Sequence, residues 1–542
     1  MTTTSFPEIT DAEIDASKSS LTQEKTIIIK PARLLRSTSL VAAMTMISRI
    51  MGFIRDIVLA QTFGAGGAFD AFIVAFKIPN FLRRLFSEGA FSQAFVPILA
   101  QYQAQQDHRE VQNFINKIAS SMLLFFVLLI VIVELTAPFF VFSLAPGFIK
   151  DLFRYHLSLH MFRITFPYLC LIGFSALTAA ILNCYHRFAI ASVSTVMLNV
   201  AMISVAWWWS PYASMPIYTL AWGVLIGGAL QLLFQLPSLY HLKLIPKFQL
   251  DLKNEKVLLV LKKMLPAVFG VSVAQLSVLL DNLFSSFLPS GSISWLYYSD
   301  RITYLPLAVI GVALATVAMP VLSSQHSKGS QSAYHATLDW AFSCTLLLGL
   351  PAALSLYLLA GPLVVTLIHH GAFNVKDVMM TLKSLSAYAF GLPAFMLIKI
   401  FAAAFYSKQN IRLPVKIAIA ATLLNLILDC CLIMPLAHTG LALATSLAAW
   451  FNAIFLLIYL IKRKIFTFKS HWKLLACQIT GANLIIGFFL IWCTPPVEEW
   501  LQWQNWECIY HLAEIIFAGF FLYIISLWLL GLKWKQLTGS FL

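Results

Sequence analysis

Charge is what this 542-residue chain has least of: Asp, Glu, Lys and Arg make up 11% of it, and the 23 acidic residues are outnumbered by 37 Lys and Arg. With 60% of residues hydrophobic and a mean hydropathy of +0.81, that scarcity excludes a soluble globular protein. Other absences narrow the function. The eight cysteines lie mostly inside apolar runs and show no metal-ligand spacing. No nucleophile–base pair stands out, and "GAGG" at 64–67 is a turn between apolar runs, not a phosphate-cradling loop ahead of a helix. Residues 1–30, polar and rich in Thr and Ser, lack the n-region and h-region of a signal peptide and read as a disordered cytoplasmic extension.

What is present is a succession of continuous apolar runs of about 20 residues, long enough to cross a hydrocarbon core roughly 30 Å thick as helices. The expected fold is an all-α polytopic membrane protein with fourteen transmembrane helices, centred near residues 50, 85, 127, 170, 198, 226, 272, 307, 350, 390, 424, 450, 483 and 521. Basic residues fall before the first run (Lys25, Lys30, Arg33, Arg36) and after even-numbered ones, as in Lys243 to Lys263 and Lys462 to Lys464. Odd-numbered connections are almost free of them. The positive-inside bias puts both termini in the cytoplasm and accounts for most of the +14 net charge, so nucleic-acid binding is not needed to explain it.

The chain also repeats. "FPYLCLIGFSALTAAILN" from Phe166 and "LPAFMLIKIFAAAFYSKQ" from Leu392 align at an offset of 226, which carries Asn199 onto Asn425; "AFVPIL" and "VAMPVL" align at 223. Two pseudo-symmetric six-helix bundles are expected, residues 36–242 and 243–465, as parallel repeats about an axis along the membrane normal. Residues 1–35 precede them, and 466–542 supply two extra helices that could form a groove for a lipid tail. Such a pair of bundles around a cavity suits alternating access.

Charges inside the first run are costly. Its apolar residues contribute about −6 kcal/mol to insertion while Arg49, Arg55 and Asp56 cost about +9, so these groups must face a polar interior. Ser48, Gly52 and Arg55 lie on one helical stripe, with Arg49 and Asp56 on a second beside it. Lys77, Arg83, Arg84 and Arg301 add positive charge that Asp70, Glu88 and Asp300 offset only in part. Arg55 and Arg301 each lie about eight residues from the outer end of their spans, roughly 12 Å along a helix, and Arg49 and Arg83 lie deeper. Tiers of guanidinium suit a phosphate-bearing anion, because the planar fork donates bidentately and stays ionised. A second cluster, Asp281, Asn425, Asp429 and Thr445, gathers hard oxygen ligands at one depth of the second bundle and is a candidate sodium site.

"SRIMGFIRD", "FGAGGAFDAF", "FKIPNFLRRLFSEGAFSQAFVPIL" and "YYSDR" closely resemble the MurJ (MviN) family of lipid II flippases, within the superfamily of multidrug, oligosaccharidyl-lipid and polysaccharide exporters. The resemblance runs from about Ser39 to the last span. It implies no enzyme but a transporter that moves the undecaprenyl-pyrophosphate-linked disaccharide-pentapeptide, lipid II, from inner to outer leaflet of the bacterial cytoplasmic (inner) membrane. Membrane lipids and the cell-wall synthesis machinery would be its partners. The family's functional arginines correspond to Arg49, Arg55, Arg83 and Arg301 and its functional aspartate to Asp70, while Ser48, Asp56, Asn80 and Glu88 fall on motif positions lining the same cavity. Tyr304 departs from relatives that carry an acid there. The resemblance also implies sodium binding by a set like Asp281, Asn425, Asp429 and Thr445, as in some members. The alternatives are an exporter of another polyprenyl-linked or anionic amphiphile and a drug/cation antiporter, which would be expected to line its cavity with acids. A glycosyltransferase using the same carrier would need carboxylates in outer connections, and the first four contain only Asp151.

Overall fold

Helix is the regular structure of every element among the described residues, as a chain without water to bond its backbone requires. The computed structural model describes residues 31–87, 90–105, 107–251 and 253–532. Glu88 and most of the expected N-terminal extension lie outside the described residues. The first half contains α1 (Pro31–Phe63), α2 (Gly67–Ser87), α3 (Ala90–Gln105), α4 (His108–Leu135), α5 (Leu152–Thr165), α6 (Tyr168–Cys184), α7 (Phe188–Ser204) and α8 (Pro216–His241). The second contains α9 (Glu255–Ser285), α10 (Ser292–Pro306), α11 (Ala313–Ser327), α12 (Gln331–Leu358), α13 (Val375–Tyr406) and α14 (Arg412–Lys462), and α15 (His471–Cys493) and α16 (Asn505–Leu529) follow.

Ten helical segments among the described residues are long and apolar enough to cross a membrane. The protein is a multi-pass membrane protein. α1, α2, α3 and α9 fall outside that set; α1 and α2 carry Arg49, Arg55, Arg83 and Asp70, while Arg301 lies on α10. Proline shapes several segments. Pro167, which has no N–H to donate, separates α5 from α6, whereas its counterpart by the repeat offset, Pro393, is absorbed within a continuous α13. α14 is interrupted at Ala437, two residues after Pro435, where φ is +49°. There the chain reverses: Gly440 packs against the carbonyl of Leu432, a separation that would be about 12 Å in a straight helix.

An apolar core is joined here by an apolar outside and by buried charges, which a soluble protein avoids. Leu135, Met434, Trp492 and Trp528 are exposed, whereas Asp56, Asp70, Asp429 and Asn425 are buried. The exposed apolar belt is the surface lipid would cover, and the few charged groups at its depth are turned inward.

Two arrangements fix the halves relative to each other. The connector after α8 runs along α4: the Lys247 and Gln249 amides donate to Asn116 Oδ1 (2.8 Å) and Ser120 Oγ (2.7 Å), and Lys117 pairs with Asp251 at 2.9 Å. Asn116 and Ser120 are four apart, so one helix face meets alternate residues of an extended strap. Elsewhere, the connection after α1 meets the 369–374 loop ahead of α13 on one side and the turn into α10 on the other, in a tight seam. Ala372 N donates to Gln61 O at 2.8 Å, and Tyr298 Oη donates to Gly64 O at 3.3 Å. Gly147 lies against the backbone of Ser286 and Phe287 so closely that a Cβ would collide with it. Gly291, at φ +98°, turns the chain into α10 while passing the Ala65 carbonyl, where a Cβ would lie 2.8 Å away.

Candidate functional site

The polar stripe of α1 meets α7 on one side and α10 on the other. Asp56, 5% exposed, is the hub. Its Oδ1 accepts from Arg55 Nε (3.0 Å), Arg55 Nη2 (2.6 Å) and Tyr297 Oη (2.8 Å), and its Oδ2 lies 3.6 Å from Arg301 Nε. One carboxylate from the first half is therefore shared between guanidiniums of both halves. The Arg301 guanidinium also lies over the Tyr297 ring, 4.8 Å from its centroid. At 3.6 Å its Nε is ion-paired but not hydrogen-bonded, and it remains a buried donor without a hydrogen-bond partner.

Arg55 reaches further. Its Nη1 donates to Asn199 Oδ1 at 3.0 Å, and Asn199 Nδ2 donates to the Ser48 carbonyl at 3.3 Å, so the amide fixes both helix and guanidinium. Ser48 Oγ bonds Thr195 Oγ1 at 3.1 Å. Arg49 stands 6.0 Å over the Tyr304 ring. At Tyr304, where the resemblance implies an acid in some relatives, this chain presents an aromatic face to Arg49 instead. Arg83 Nε bonds Asn80 Oδ1 at 3.1 Å, one turn back on α2.

Asp70 is placed apart from the arginine cluster. Fully buried, it caps the start of α10: Oδ2 accepts from Gly291 N (2.7 Å), and Oδ1 from Ser294 N (2.8 Å) and Ser294 Oγ (2.5 Å). Arg154 Nη1 lies 3.9 Å away. A negative group at a helix N-terminus satisfies free N–H donors and faces the positive end of the helix dipole. Asp70 thus ties the first half to the second, within the glycine seam.

The second polar cluster is assembled by α9 and α14. Asn425 Nδ2 donates to Asp281 Oδ1 (3.2 Å) and Asp429 Oδ2 (2.8 Å), and the two carboxylates lie within hydrogen-bond reach of each other. Asn425 Oδ1 and Asp429 Oδ1 are buried without partners. Two carboxylates in contact are stable only with a proton or a cation between them, and two orphaned hard oxygens are what a small cation coordinates. Thr445 Oγ1 donates to Leu441 O at 3.0 Å, leaving its lone pairs free, and it lines a cavity of about 300 Å³ together with Asp281. These residues fit a hard monovalent cation.

The structure joins Ser48, Arg55, Asp56 and Arg301 in one network and Asp281, Asn425 and Asp429 in another. The sequence reading missed Tyr297, Asn199 and Arg154. The repeat offset held a signal for Asn199: its partner position, Asn425, organises the carboxylates as Asn199 organises Arg55.

The fold is that of a helical membrane transporter. A solved structure described as an inward-facing multidrug resistance MATE family transporter of the MOP superfamily superposes with a TM-score of 0.64 at 14% identity, over 78% of this chain and 97% of that one. A structure described as lipid II flippase MurJ in an inward closed conformation gives a TM-score of 0.74 at 25% identity, over 90% and 97%. The family model described as lipid II flippase MurJ matches residues 59–507. The lipid II flippase MurJ of Burkholderia cenocepacia is 38% identical over 507 residues, 92% of this chain and 98% of that protein. This chain belongs to the MurJ family of lipid II flippases.

Proposed function

We propose that this protein flips lipid II from the inner to the outer leaflet of the bacterial inner membrane by alternating access, with Arg49, Arg55, Arg83 and Arg301 receiving the pyrophosphate. The observation that carries this reading is Asp56, shared by Arg55 and Arg301 across the two halves. Asp56 is the counter-anion these guanidiniums hold. A pyrophosphate offers the same guanidiniums more acceptor oxygens and more charge, so substrate displaces Asp56 and draws arginines of both halves onto one ligand.

Fourteen crossings follow if α14 counts as two and α1, α2 and α9 join the ten apolar segments. In this reading residues 36–242 and 243–465 are the two moving bundles, both termini are cytoplasmic, and the seam at Gly147, Gly291 and Ala372 is the closed outer gate. Asp70 is its latch. The polyprenyl tail lies on 466–542: a cavity of about 520 Å³ lined by Ile57 and Gln61 of α1 and by Leu512, Ile516 and Phe517 of α16 connects that region to the arginine-bearing helix. Sodium at Asp281, Asn425, Asp429 and Thr445 supplies one positive charge that offsets the paired carboxylates and biases the bundle toward one state.

Reconstituted protein should deliver fluorescent lipid II to an externally added periplasmic-type processing enzyme, and Arg55→Ala should stop delivery at equal protein levels. Undiminished delivery by Arg55→Ala would overturn the arginine assignment. For the cation, sodium should raise the melting temperature of the purified protein relative to N-methylglucamine, and Asp429→Asn should remove the difference.

A further inference from the structure

The cavity of about 300 Å³ beside the carboxylate cluster is lined by one cationic side chain, Lys77, together with Asp281, Asp300 and Thr445. Lys77 comes from α2, in the first half, and all three others from the second. Among the described residues its ammonium makes no hydrogen bond and has no carboxylate oxygen within 4.0 Å. It therefore faces the cavity and acts on Asp281 and Asp300 through space. Asp70 lies seven residues earlier on the same helix, two turns away and on the same face. That face carries both the latch onto α10 and the charge directed at the carboxylates, so the two features move together.

We infer that Lys77 is a tethered counter-cation for the Asp281–Asp429 cluster, competing with the bound monovalent cation and coupling its occupancy to the latch. While Asp70 holds Gly291 and Ser294, α2 lies against α10 and the Lys77 ammonium offsets the second half's negative charge. A cation entering the cluster makes that ammonium repelled instead of attracted. When α2 withdraws, the carboxylates lose their tethered charge and bind the free cation more tightly. By linkage, the cation favours the unlatched state by the factor by which unlatching tightens cation binding. The arrangement mirrors Asp56, which holds the place of an anion among the arginines.

This inference rests on the cation reading of the cluster, and the test separates the two. The midpoint of sodium-dependent thermal stabilisation is measured in the purified full chain for wild type, Lys77→Met, Lys77→Gln, Lys77→Arg and Asp429→Asn, with N-methylglucamine balancing ionic strength. Removing a unit charge that faces the site should lower the sodium midpoint about tenfold in Lys77→Met and Lys77→Gln, while Lys77→Arg stays near wild type. Two neutral variants of different shape guard against a folding defect in either. A sodium response in wild type whose midpoint is unchanged in both neutral variants overturns the role of Lys77 and leaves the cation site standing. No sodium response in wild type or in either neutral variant overturns the site and the inference with it. A response that emerges only when Lys77 is neutralised supports both.

Discussion

Asp70→Asn is a test of the latch because the substitution keeps the shape and changes one bond. Asp70 Oδ1 can go on accepting from Ser294 N and Oγ as an amide oxygen, but the group facing Gly291 N becomes an NH₂, and two donors then oppose each other in a fully buried place. Losing one hydrogen bond to a charged acceptor costs about 1.5–3 kcal/mol, and removing the charge from the helix N-terminus adds about 0.3–1. A total of about 3 kcal/mol would shift the ratio of latched to unlatched protein roughly 100-fold. Ile293 is buried beside the latch and lines the cavity. In a background without the native cysteines, Ile293→Cys should resist a membrane-impermeant maleimide applied from outside, and adding Asp70→Asn should make it react readily while transport falls. Lost transport with unchanged labelling would refute the latch and assign Asp70 to the substrate.

Arg55→Lys keeps the charge but not the fork that holds Asp56 and Asn199 together, so lipid II delivery should weaken by about tenfold or more, the equivalent of one charged hydrogen bond, as checked in the liposome assay. Gly147→Ala places a methyl group against the Ser286 and Phe287 backbone, which cannot yield as a side chain would. It should open the outer seam and raise labelling at Ile293→Cys with Asp70 intact. The Lys117 hydrogen bond holds Asp251 below the ordinary carboxylate range. A depressed folded pKa gives stabilisation that is complete above the unfolded value near 3.9 and is lost as pH falls through the folded one, so amide exchange at Lys247 and Gln249 should accelerate only below about pH 4.

The arginine reading was available from sequence because charge in lipid has an energetic cost that composition alone exposes. Arg49, Arg55, Asp56 and Arg301 declared an interior before any fold was known, and Asn425 and Asp429, four apart, declared a shared face. The partner choices were not legible. Nothing in spacing sets Asp56 between Arg55 and Arg301, since that contact joins residues 245 apart through the packing of α1 on α10. Asp70 looked like one more cavity charge until the left-handed turn at Gly291 aimed the start of α10 at it. Pro167 and Pro393 align in the repeat yet act differently, because a proline's effect depends on whether its neighbours re-satisfy the freed carbonyl.

If a cationic cavity shared by the two halves carries lipid II across the membrane, the outer leaflet of living cells should register its loss. In cells depleted of this protein, lipid II exposed on the outer leaflet is quantified with an externally added enzyme that cleaves only accessible lipid II, during complementation with wild type or with Arg55→Ala and Arg301→Ala at matched abundance. Exposure should collapse on depletion, return with wild type and stay low with either alanine variant. Exposure that persists on depletion, or returns with both alanine variants, would rule out transport through this arginine cavity.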